Sequence, residues 1–401
     1  MLNISMIPRT KTLEVELSTK CPLSCSECPR VIQKPSIEKW NAGFLKTKPF
    51  LDNIDSFYKK INFCGAYGDA IYHPDLADIF SHIVNLGIKF RLETNGGYVS
   101  KERWKTLADA LTYNSSRKEL ITFSIDGSKD NFTQYRTNGD WKGTSAGLEI
   151  FGEYGINTQW KLITFEYNTN YDTLKSIYDT ALQYNVNEIL LIHSARSREN
   201  EYVSMDSFLK AVDMLDNYTE TVNTNYKKPI VKIGVEGYRK HLPETEVLKQ
   251  HKLWEFKSDK PVVSKPIAKE STVNGVTEIV SSRGVIMRFH NNVKKQTITE
   301  TPKIETKKNV EIWEDKLHPQ CIKNSHHNFV GGDGKLLPCC WLRAAGPKRL
   351  SQTSDILGNK WEDLSIYNNK IEDIVKSNAW KILSDNLLSY ETCHQKCPSK
   401  K

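Results

Sequence analysis

Cys21-Pro-Leu-Ser-Cys25-Ser-Glu-Cys28 is the stretch of sequence that decides the fold class. It follows a short run of strand-forming residues, Leu13-Glu-Val-Glu-Leu17, so its three cysteines lie on a loop that leaves a strand. Thiols spaced in this way can converge on one face of an iron–sulfur cube, for which cysteine thiolates are the usual ligands. Three ligands for four irons leave one iron open, and an open iron can chelate the amino and carboxylate groups of a small molecule.

A structural zinc site is the alternative for these cysteines. Zinc takes four ligands in tetrahedral array and typically uses two closely spaced pairs. The first three cysteines have no fourth one nearby. The spacing therefore favours an iron–sulfur cluster over zinc or plain structural thiols.

Size and composition indicate a globular chain with a substantial core. The sequence has 401 residues, 38% of them hydrophobic and 10% aromatic. This length fits one large domain with an appendage, or two domains. The net charge of +8 comes from scattered lysines, so it indicates affinity for an anionic partner only weakly.

The compartment is predicted from the first residues and the cysteines. Met-Leu-Asn-Ile-Ser-Met lacks the charged and then apolar pattern of a secretory signal, and no apolar run approaches the ~20 residues that cross a bilayer. We therefore expect a soluble, cytoplasmic protein with no membrane partner. Its nine cysteines, an odd number, then indicate metal binding rather than disulfides.

Strands and helices alternate over residues 12–193. Apolar, β-branched runs predict strands, and apolar residues at spacings of three and four predict the helices between them. Six alternations imply a parallel sheet covered by helices, because parallel neighbours need crossover connections. The predicted strands are 12–17, 60–64, 88–93, 120–125, 158–165 and 188–192, and the predicted helices are 50–59, 75–86, 101–112, 143–154 and 172–184.

The cysteine spacing and this alternation together resemble the radical S-adenosylmethionine (radical SAM) enzymes. The resemblance implies an α/β fold, a partial (β/α)6 TIM-like barrel, with a 4Fe-4S cluster on Cys21, Cys25 and Cys28. In that family the open iron holds the methionine end of S-adenosylmethionine, and the reduced cluster cleaves it to a 5'-deoxyadenosyl radical that abstracts a substrate hydrogen. The chemistry of parallel barrels gathers at the carboxyl ends of the strands.

The segment after the second strand, Phe63-Cys64-Gly65-Ala66-Tyr67-Gly68-Asp69-Ala70, resembles the family's Gly-Gly-Glu-Pro motif. Gly68, Asp69 and Ala70 stand at its Gly, Glu and Pro positions, which implies that Asp69 contacts the methionine amino group. Asp is shorter than Glu, however, and the proline is missing. The alternative is a glycine turn that leads into a helix capped near Asp75.

The ends of the third and fourth strands resemble two more family segments. Leu92-Glu93-Thr94-Asn95-Gly96 is similar to Thr-Asn-Gly, and Ser124-Ile-Asp126-Gly is similar to Ser-(Leu/Ile)-Asp-Gly, which assigns Asn95, Ser124 and Asp126 to the cofactor. Either segment alone would be an ordinary turn. Arg136 can pair with a carboxylate or can be a surface arginine. The family's aromatic residue before the third cysteine is replaced by Glu27, so the adenine needs another apolar contact.

A second set of cysteines begins at Cys321. The Gly331-Gly-Asp-Gly334 turn predicts a β-hairpin that brings Cys321 and Cys339 together, and Cys393 and Cys397 follow a predicted helix over 371–388. The set resembles the family's twitch domain, a shorter relative of the SPASM domain. It implies one auxiliary 4Fe-4S cluster on Cys321, Cys339, Cys393 and Cys397.

Other ligands for this second site remain open. A four-cysteine zinc ribbon is the alternative for the whole set. Adjacent Cys339 and Cys340 cannot both face a cluster, and spacing favours Cys339. Cys340 and Cys64 are more often buried thiols, and the histidines that compete as ligands are His326, His327 and His394.

The predicted domains are a radical SAM core (1–195), an insertion or linker (196–317) and a small α+β twitch-type domain (318–401). The middle region carries a helix candidate at Met205–Tyr218 and a possible hairpin from Val273 to Phe289. The resemblance implies oxidative modification of a peptide or small metabolite, with a reduced flavodoxin or ferredoxin-type electron donor. The alternative is a non-catalytic iron–sulfur or zinc protein that contacts nucleic acid, for which no convincing basic and aromatic strip is present.

Overall fold

The computed structural model describes twelve segments of the chain. They are residues 7–32, 43–65, 67–112, 119–194, 203–225, 227–236, 269–273, 276–280, 286–290, 327–340, 342 and 353–386.

A nine-stranded sheet organises these residues. Its seven consecutive parallel strands are β1 (Thr12–Val15), β2 (Lys60–Phe63), β3 (Lys89–Thr94), β4 (Glu119–Ser124), β5 (Thr158–Ile163), β6 (Glu188–Ser194) and β7 (Ile230–Glu236). They lie side by side in chain order. Parallel strands in this order need a crossover between each pair, and helices supply most of these crossovers.

Side-chain N-caps mark the start of three of the helices. Asp140, Asn170 and Ser204 each accept a backbone N–H bond from the first turn of the helix that follows. In chain order the helices are α1 (Pro29–Ile32), α2 (Thr47–Leu51), α3 (Leu76–Asn85), α4 (Lys101–Thr112), α5 (Trp141–Glu153), α6 (Tyr171–Gln183), α7 (Met205–Thr221), α8 (Ile371–Ile374) and α9 (Asn378–Asp385).

The six predicted alternations of strand and helix are confirmed, and one further strand was missed. β7 follows α7 and pairs in parallel with β6 along seven residues. The sequence of this region predicts an insertion or linker, because its lysines and prolines weaken the apolar pattern. The α/β class and the mostly parallel sheet are as predicted.

Two predicted helices are wrong in their bounds. The helix expected over 50–59 is only α2, because the chain turns after Leu51 and the Asn53 side chain donates to the carbonyl of Pro49. The helix expected over 371–388 is two short helices. Ser377 interrupts it, since its hydroxyl accepts from the Trp380 N–H and starts a new helix.

The two faces of the sheet differ in character. Alternate residues of the first three strands are buried, and all of them except Thr94 are apolar and pack with the helices in one large core. The residues between them, which point to the opposite face, are half-buried or exposed and mostly polar. The helices therefore cover one face, while the other face carries charges.

The hairpin predicted before Cys339 is confirmed, and it joins the main sheet. β11 (Asn328–Val330) and β12 (Leu336–Leu337) are antiparallel, with Gly334 in the turn at φ +77°. β11 also pairs in parallel with β1. Asn328 strengthens the junction, because its side chain accepts from Thr10 N at 2.8 Å while its N–H donates to the Thr10 hydroxyl at 3.0 Å.

A separate three-stranded antiparallel sheet contains β8 (Lys269–Val273), β9 (Val276–Val280) and β10 (Ile286–His290). It confirms the hairpin expected between Val273 and Phe289 and adds β8 to it. None of the helices that the structure describes has both the length and the apolar character that a membrane span requires.

Candidate cofactor site

The three-cysteine loop leaves β1 and lies in an apolar cluster at the carboxyl ends of β5 and β6. Cys25 is buried there, and Cys21 and Cys28 pack against the same cluster. The structure therefore brings the three predicted thiols to one place. The buried residues around them are Leu23, Tyr135, Ile163, Phe165 and Ile192.

A first chain of contacts runs from Asp69 to Cys21. Asp69 is buried, and its Oδ2 accepts from the Thr94 hydroxyl at 3.0 Å and from Asn95 N at 2.7 Å. The Asn95 Nδ2 donates to the same oxygen at 2.5 Å and lies 3.6 Å from the Cys21 Sγ. Asp69 and Asn95, both predicted site residues, thus act together and orient a donor toward a thiol.

Burial is the main influence on the pKa values of Asp69 and Cys21. It raises the pKa of Asp69 to about 6, although the donors from Ile71, Asn95 and Thr94 oppose that rise. Burial, followed by the nearby Asp69 carboxyl, raises the pKa of Cys21 to about 12. A bound metal cluster counters such a shift, because a coordinating thiol is deprotonated by the metal charge.

A second chain of contacts runs from Asp126 to Cys25. The fully buried Asp126 accepts from Ile163 N at 2.6 Å through Oδ1 and from Arg136 Nε at 2.5 Å through Oδ2. The Arg136 side chain also hydrogen-bonds to Cys25. Burial opposes the charge on Arg136, but Asp126 and Cys25 hold its pKa above the usual value. Arg136 is thus not an exposed surface arginine.

The hydrogen bonds to Asp126 fix the position of its side chain and its carbonyl. Both of its carboxylate oxygens have protein donors, and its carbonyl accepts from the Tyr167 hydroxyl and from Asn168 Nδ2. Asp126 therefore holds Arg136 in place. Neither carboxylate oxygen is left without a protein donor, so any contact of this pair with a cofactor would be made by Arg136.

Gly68 packs against the backbone that leads into the cysteine loop. A Cβ at this residue would lie 2.0 Å from the Ser18 carbonyl oxygen and 2.5 Å from the Thr19 carbonyl carbon. The next residue, Asp69, donates its N–H to the carbonyl of Lys20 at 2.9 Å. Only glycine permits this close approach, so Gly68 helps to position the loop.

The structure also places two charged side chains near the cysteine loop that no sequence motif indicates. Glu16 is fully buried and accepts from Tyr67 N and Gly332 N, which ties the loop after β2 to the C-terminal hairpin. The Arg30 side chain donates to the carbonyl of Leu23 inside the cysteine loop. Both residues read as ordinary charged residues in the sequence, because their partners lie on other segments or on the loop backbone.

The apolar contact that the adenine requires has candidates at the end of β5. Phe165 and Tyr167 stack with their rings 5.4 Å apart and 8° from parallel, and Tyr135 lies 4.7 Å from Phe165. These rings belong to the cluster that contains Cys25. The predicted Ser124 ends β4 beside Lys161 of β5, on the polar face of the sheet.

The second cysteine set is described only in part. Cys339 is buried in the main core just after β12, and the neighbouring Cys340 is half-buried and hydrogen-bonds to Glu14. Cys64 follows β2, and burial raises the pKa of its thiol. Cys321, Cys393 and Cys397, as well as His326 and His394, lie outside the described residues.

The residues around the first cysteine loop fit an iron–sulfur cube. The thiols share an apolar environment, and two of them receive polar contacts, from Asn95 and Arg136. Hydrogen bonds to cluster sulfurs and low solvent access are the usual means by which proteins tune such clusters. Within the described segments, no three His, Cys, Asp or Glu side chains group around one metal ion. A cube spreads its ligands over separate corners, so it does not need that arrangement.

Residues 15–181 match the Radical SAM superfamily, so the chain contains a radical SAM domain. Members of this superfamily are enzymes that use a 4Fe-4S cluster and S-adenosylmethionine. The match begins in β1 and ends in α6, and it includes all three cysteines of the loop. None of the curated proteins matches the chain.

Solved structures align with this chain at low identity. SuiB from Streptococcus suis aligns over 96% of this chain and 71% of its own, at a TM-score of 0.54 and 10% identity. SuiB bound to S-adenosylmethionine aligns over 83% and 61%, at 0.48 and 12%. The enzyme anSMEcpe, with bound AdoMet and the Cp18Cys peptide, aligns over 92% and 81%, at 0.45 and 14%. The chain thus spans less than two thirds of the S-adenosylmethionine-bound SuiB chain.

Proposed function

We propose that this protein is a radical SAM enzyme that oxidatively modifies a peptide or a small metabolite. The observation that carries the proposal is the meeting of Cys21, Cys25 and Cys28 in one apolar cluster inside a radical SAM domain. Cys21, Cys25 and Cys28 would hold a 4Fe-4S cluster there, which would supply one-electron reductive cleavage of S-adenosylmethionine to methionine and a 5'-deoxyadenosyl radical able to take a hydrogen atom from the substrate.

The residues around the loop have separate tasks in this proposal. Arg136, held by Asp126, offers a guanidinium to the methionine carboxylate, because a planar fork pairs well with a carboxylate. The glycine segment at Gly68 and the Ser124 hydroxyl lie at the ends of β2 and β4, where polar groups of the cofactor would bind. Phe165 and Tyr167 offer their rings to the adenine.

An auxiliary 4Fe-4S cluster on Cys321, Cys339, Cys393 and Cys397 is the second part of the proposal. Its support is the cysteine spacing and the confirmed hairpin that leads to Cys339. A fully ligated cluster has no open iron, so its role would be to accept the electron left on the substrate. Electrons would enter at the first cluster from a reduced flavodoxin or ferredoxin-type donor.

The polar face of the sheet favours a charged, water-soluble substrate. Arg91, Glu93 and Lys161 form ion pairs there, with Arg91 and Lys161 both bound to Glu93 at 3.1 and 3.2 Å. About a third of the Glu93 side chain is exposed. A peptide or a polar metabolite suits such a surface better than an apolar molecule.

Iron content and cofactor cleavage test the first cluster. After anaerobic reconstitution, we expect about eight irons per wild-type chain and about four in Cys25→Ala, since each cube holds four. With dithionite and S-adenosylmethionine, the wild type should form 5'-deoxyadenosine and Cys25→Ala should form none. Cys64→Ala, which removes a buried thiol outside the loop, is the matched control and should keep both properties.

Two results would contradict the proposal. One is zinc in place of iron together with no cleavage of S-adenosylmethionine, which is the outcome expected of a structural metal protein. The other is equal iron content in wild type and Cys25→Ala.

The second cluster has its own test. Cys393→Ala should lower the iron content from about eight to about four while 5'-deoxyadenosine still forms, because the first cluster is untouched. Unchanged iron content in Cys393→Ala would exclude this residue as a ligand.

A further inference from the structure

Arg30 of α1 reaches back over the cysteine loop. It follows Cys28 by two positions, yet its Nη2 donates to the carbonyl of Leu23 inside the loop. Its guanidinium is also close enough to Cys21 to lower the pKa of that thiol, although burial outweighs this effect. The half-buried Arg30 side chain therefore lies against the part of the loop that follows the first cysteine.

One donor of this guanidinium is not satisfied by the described residues. The Arg30 Nε is buried and has no hydrogen-bond partner in the part of the chain that the structure describes. Buried donors are almost always paired, so an unpaired one indicates a water, an ion or a ligand that completes the site. The indication is stronger for Arg30, because a charged donor is more costly to leave unpaired than a neutral one.

Arg30 also lacks a counter-ion among the described residues. The ion pairs that those residues form do not include it. Arg136, which contacts Cys25, differs in this respect, because the fully buried Asp126 pairs with it at 2.5 Å. The charges of Arg136 and Asp126 thus nearly cancel, whereas Arg30 leaves a positive charge beside the cysteines.

These two observations define the missing acceptor. A water would satisfy the Nε–H of Arg30, but it would leave the positive charge uncompensated in a partly buried place. An anion at the cysteine loop satisfies both. A cube held by three thiolates is negatively charged, and its sulfurs accept hydrogen bonds from neighbouring N–H groups.

We propose that Arg30 donates its Nε–H to a sulfur of the first 4Fe-4S cluster and raises the reduction potential of that cluster. The inference rests on the proposed function, because it needs the cluster that Cys21, Cys25 and Cys28 would hold. A fixed positive charge favours the reduced cluster, which has gained an electron and is more negative. Arg30 would thereby ease the transfer of an electron from the reduced donor to the cluster.

The reduction potential of the first cluster tests this role without any turnover. The reconstituted full-length protein is titrated with dithionite in the absence of S-adenosylmethionine, and the reduced cluster is followed by electron paramagnetic resonance. The signal of the first cluster is the one that Cys25→Ala lacks. In Arg30→Gln, the ratio of reduced to oxidised cluster at a fixed potential should fall at least about tenfold, which is a shift of about 59 mV for one electron.

Two further variants separate charge from hydrogen bonding and from general surface effects. Arg30→Lys keeps the positive charge but not the Nε donor, so its potential should lie between those of the wild type and Arg30→Gln. Lys105→Gln, which removes an exposed cation on α4, is the control and should leave the potential unchanged. If Arg30→Gln takes up no iron, Arg30→Lys decides, since a potential equal to that of the wild type would exclude the Nε donor.

An unchanged potential in Arg30→Gln at full iron content would overturn the inference. The same result with weaker binding of S-adenosylmethionine, measured by its effect on the same signal, would place Arg30 at the methionine carboxylate instead. Both outcomes leave the proposed function intact, because the cluster is present and the cofactor can still be cleaved. A wild type without iron would contradict the proposed function and this role of Arg30 together.

Discussion

At the scale of single residues, two buried carboxylates each hold a donor against a cluster thiol. Asp69 holds Asn95 near Cys21, and Asp126 holds Arg136 near Cys25. Hydrogen bonds to cluster sulfurs and nearby charge set the properties of an iron–sulfur centre. In the proposed function, the two carboxylates would therefore act on the cluster through Asn95 and Arg136.

Removing the charge of Asp126 should destabilise the fold. Asp126→Asn leaves the largely buried Arg136 guanidinium without its counter-ion, and breaking a buried pair in this way costs about 3–5 kcal/mol. Urea unfolding of the metal-free chain measures the loss. Asp52→Asn is the control, because it breaks the solvent-exposed Lys48–Asp52 pair of α2 and should change nothing measurable. Equal midpoints for the two variants would contradict the role assigned to Asp126.

The stability of the fold should fall in mild acid because of His73. Its Nδ1 accepts from Asp75 N and its Nε2 lies 2.7 Å from the carbonyl of Leu45, so the buried ring is neutral and donates through Nε2. Burial lowers the pKa of His73 in the folded state. The unfolded chain therefore takes up the proton first as pH falls below about 6.5, and stability is lost over that range.

The measurement compares wild type with His73→Gln by urea unfolding at several pH values between 7.5 and 5.5, values chosen around the ordinary imidazole pKa of about 6.5. The wild type should lose more stability than the variant as the pH falls. Parallel pH profiles would show that His73 does not contribute.

Sequence motifs predicted the candidate site residues, but not the contacts between them. Asn95 and Asp126 could be named because family segments follow one another in the expected order, and Arg136 could be named only as a side chain able to pair with a carboxylate. The contacts Asp69–Asn95 and Asp126–Ile163 join residues that are 26 and 37 positions apart, so only the folded sheet brings them together. Glu16 was missed for the same reason, since its partners belong to two other loops.

At the scale of elements, the loop after β2 supports the cysteine loop by close backbone contact. Gly68 meets the Ser18 carbonyl, and Asp69 donates to Lys20 one residue before Cys21. The two loops are therefore packed directly against one another. The position of the thiols thus depends on a segment that contains no ligand.

A methyl group at residue 68 should therefore displace the cysteine loop. Gly68→Ala puts a Cβ 2.0 Å from the Ser18 carbonyl oxygen, which is backbone and cannot rotate away. We expect the iron content of the reconstituted protein to fall by about four per chain. Gly358→Ala is the control, because open space surrounds that Cβ, only its positive φ is unfavourable, and the residue lies in the C-terminal segment rather than beside the cysteine loop. Full iron content in Gly68→Ala would show that the loop tolerates the shift.

The segments that form strands and helices were easier to predict than the residues at which they begin and end. The apolar periodicity of β1 to β6 reflects burial against the helices, and this burial is also what makes them strands. The end of α2 and the break before α9 depend instead on single side chains, Asn53 and Ser377, that bond to particular backbone groups. The apolar periodicity of the sequence does not depend on such bonds, so it does not locate these helix ends.

At the scale of the whole molecule, the C-terminal segments are built into the first domain. β11 pairs with β1, and the α9 residue Trp380 donates its indole N–H to the carbonyl of Ile7 at 2.8 Å. Ile371 N donates to the Asn53 side chain at 2.7 Å. The described C-terminal residues thus share a core with the radical SAM domain.

Replacement of Trp380 with alanine should consequently lower the free energy of unfolding of the whole chain. This side chain is fully buried in the common core, and replacing such a tryptophan with alanine costs about 3–5 kcal/mol. Far-ultraviolet circular dichroism in urea should show one transition for Trp380→Ala, shifted to lower urea. Two separate transitions, with the first domain unaffected, would indicate independent units.

The pairing of β11 with β1 has a consequence for synthesis on the ribosome. Thr10 and Asn328 are hydrogen-bonded to each other but lie 318 positions apart in the sequence. Because the ribosome adds about 5–20 residues per second, β11 is made on the order of tens of seconds after β1. During that delay β1 is an edge with unpaired N–H and C=O groups, which can pair with another chain. Nascent chains that stall before Asn328 should therefore aggregate and depend on chaperones until the hairpin emerges.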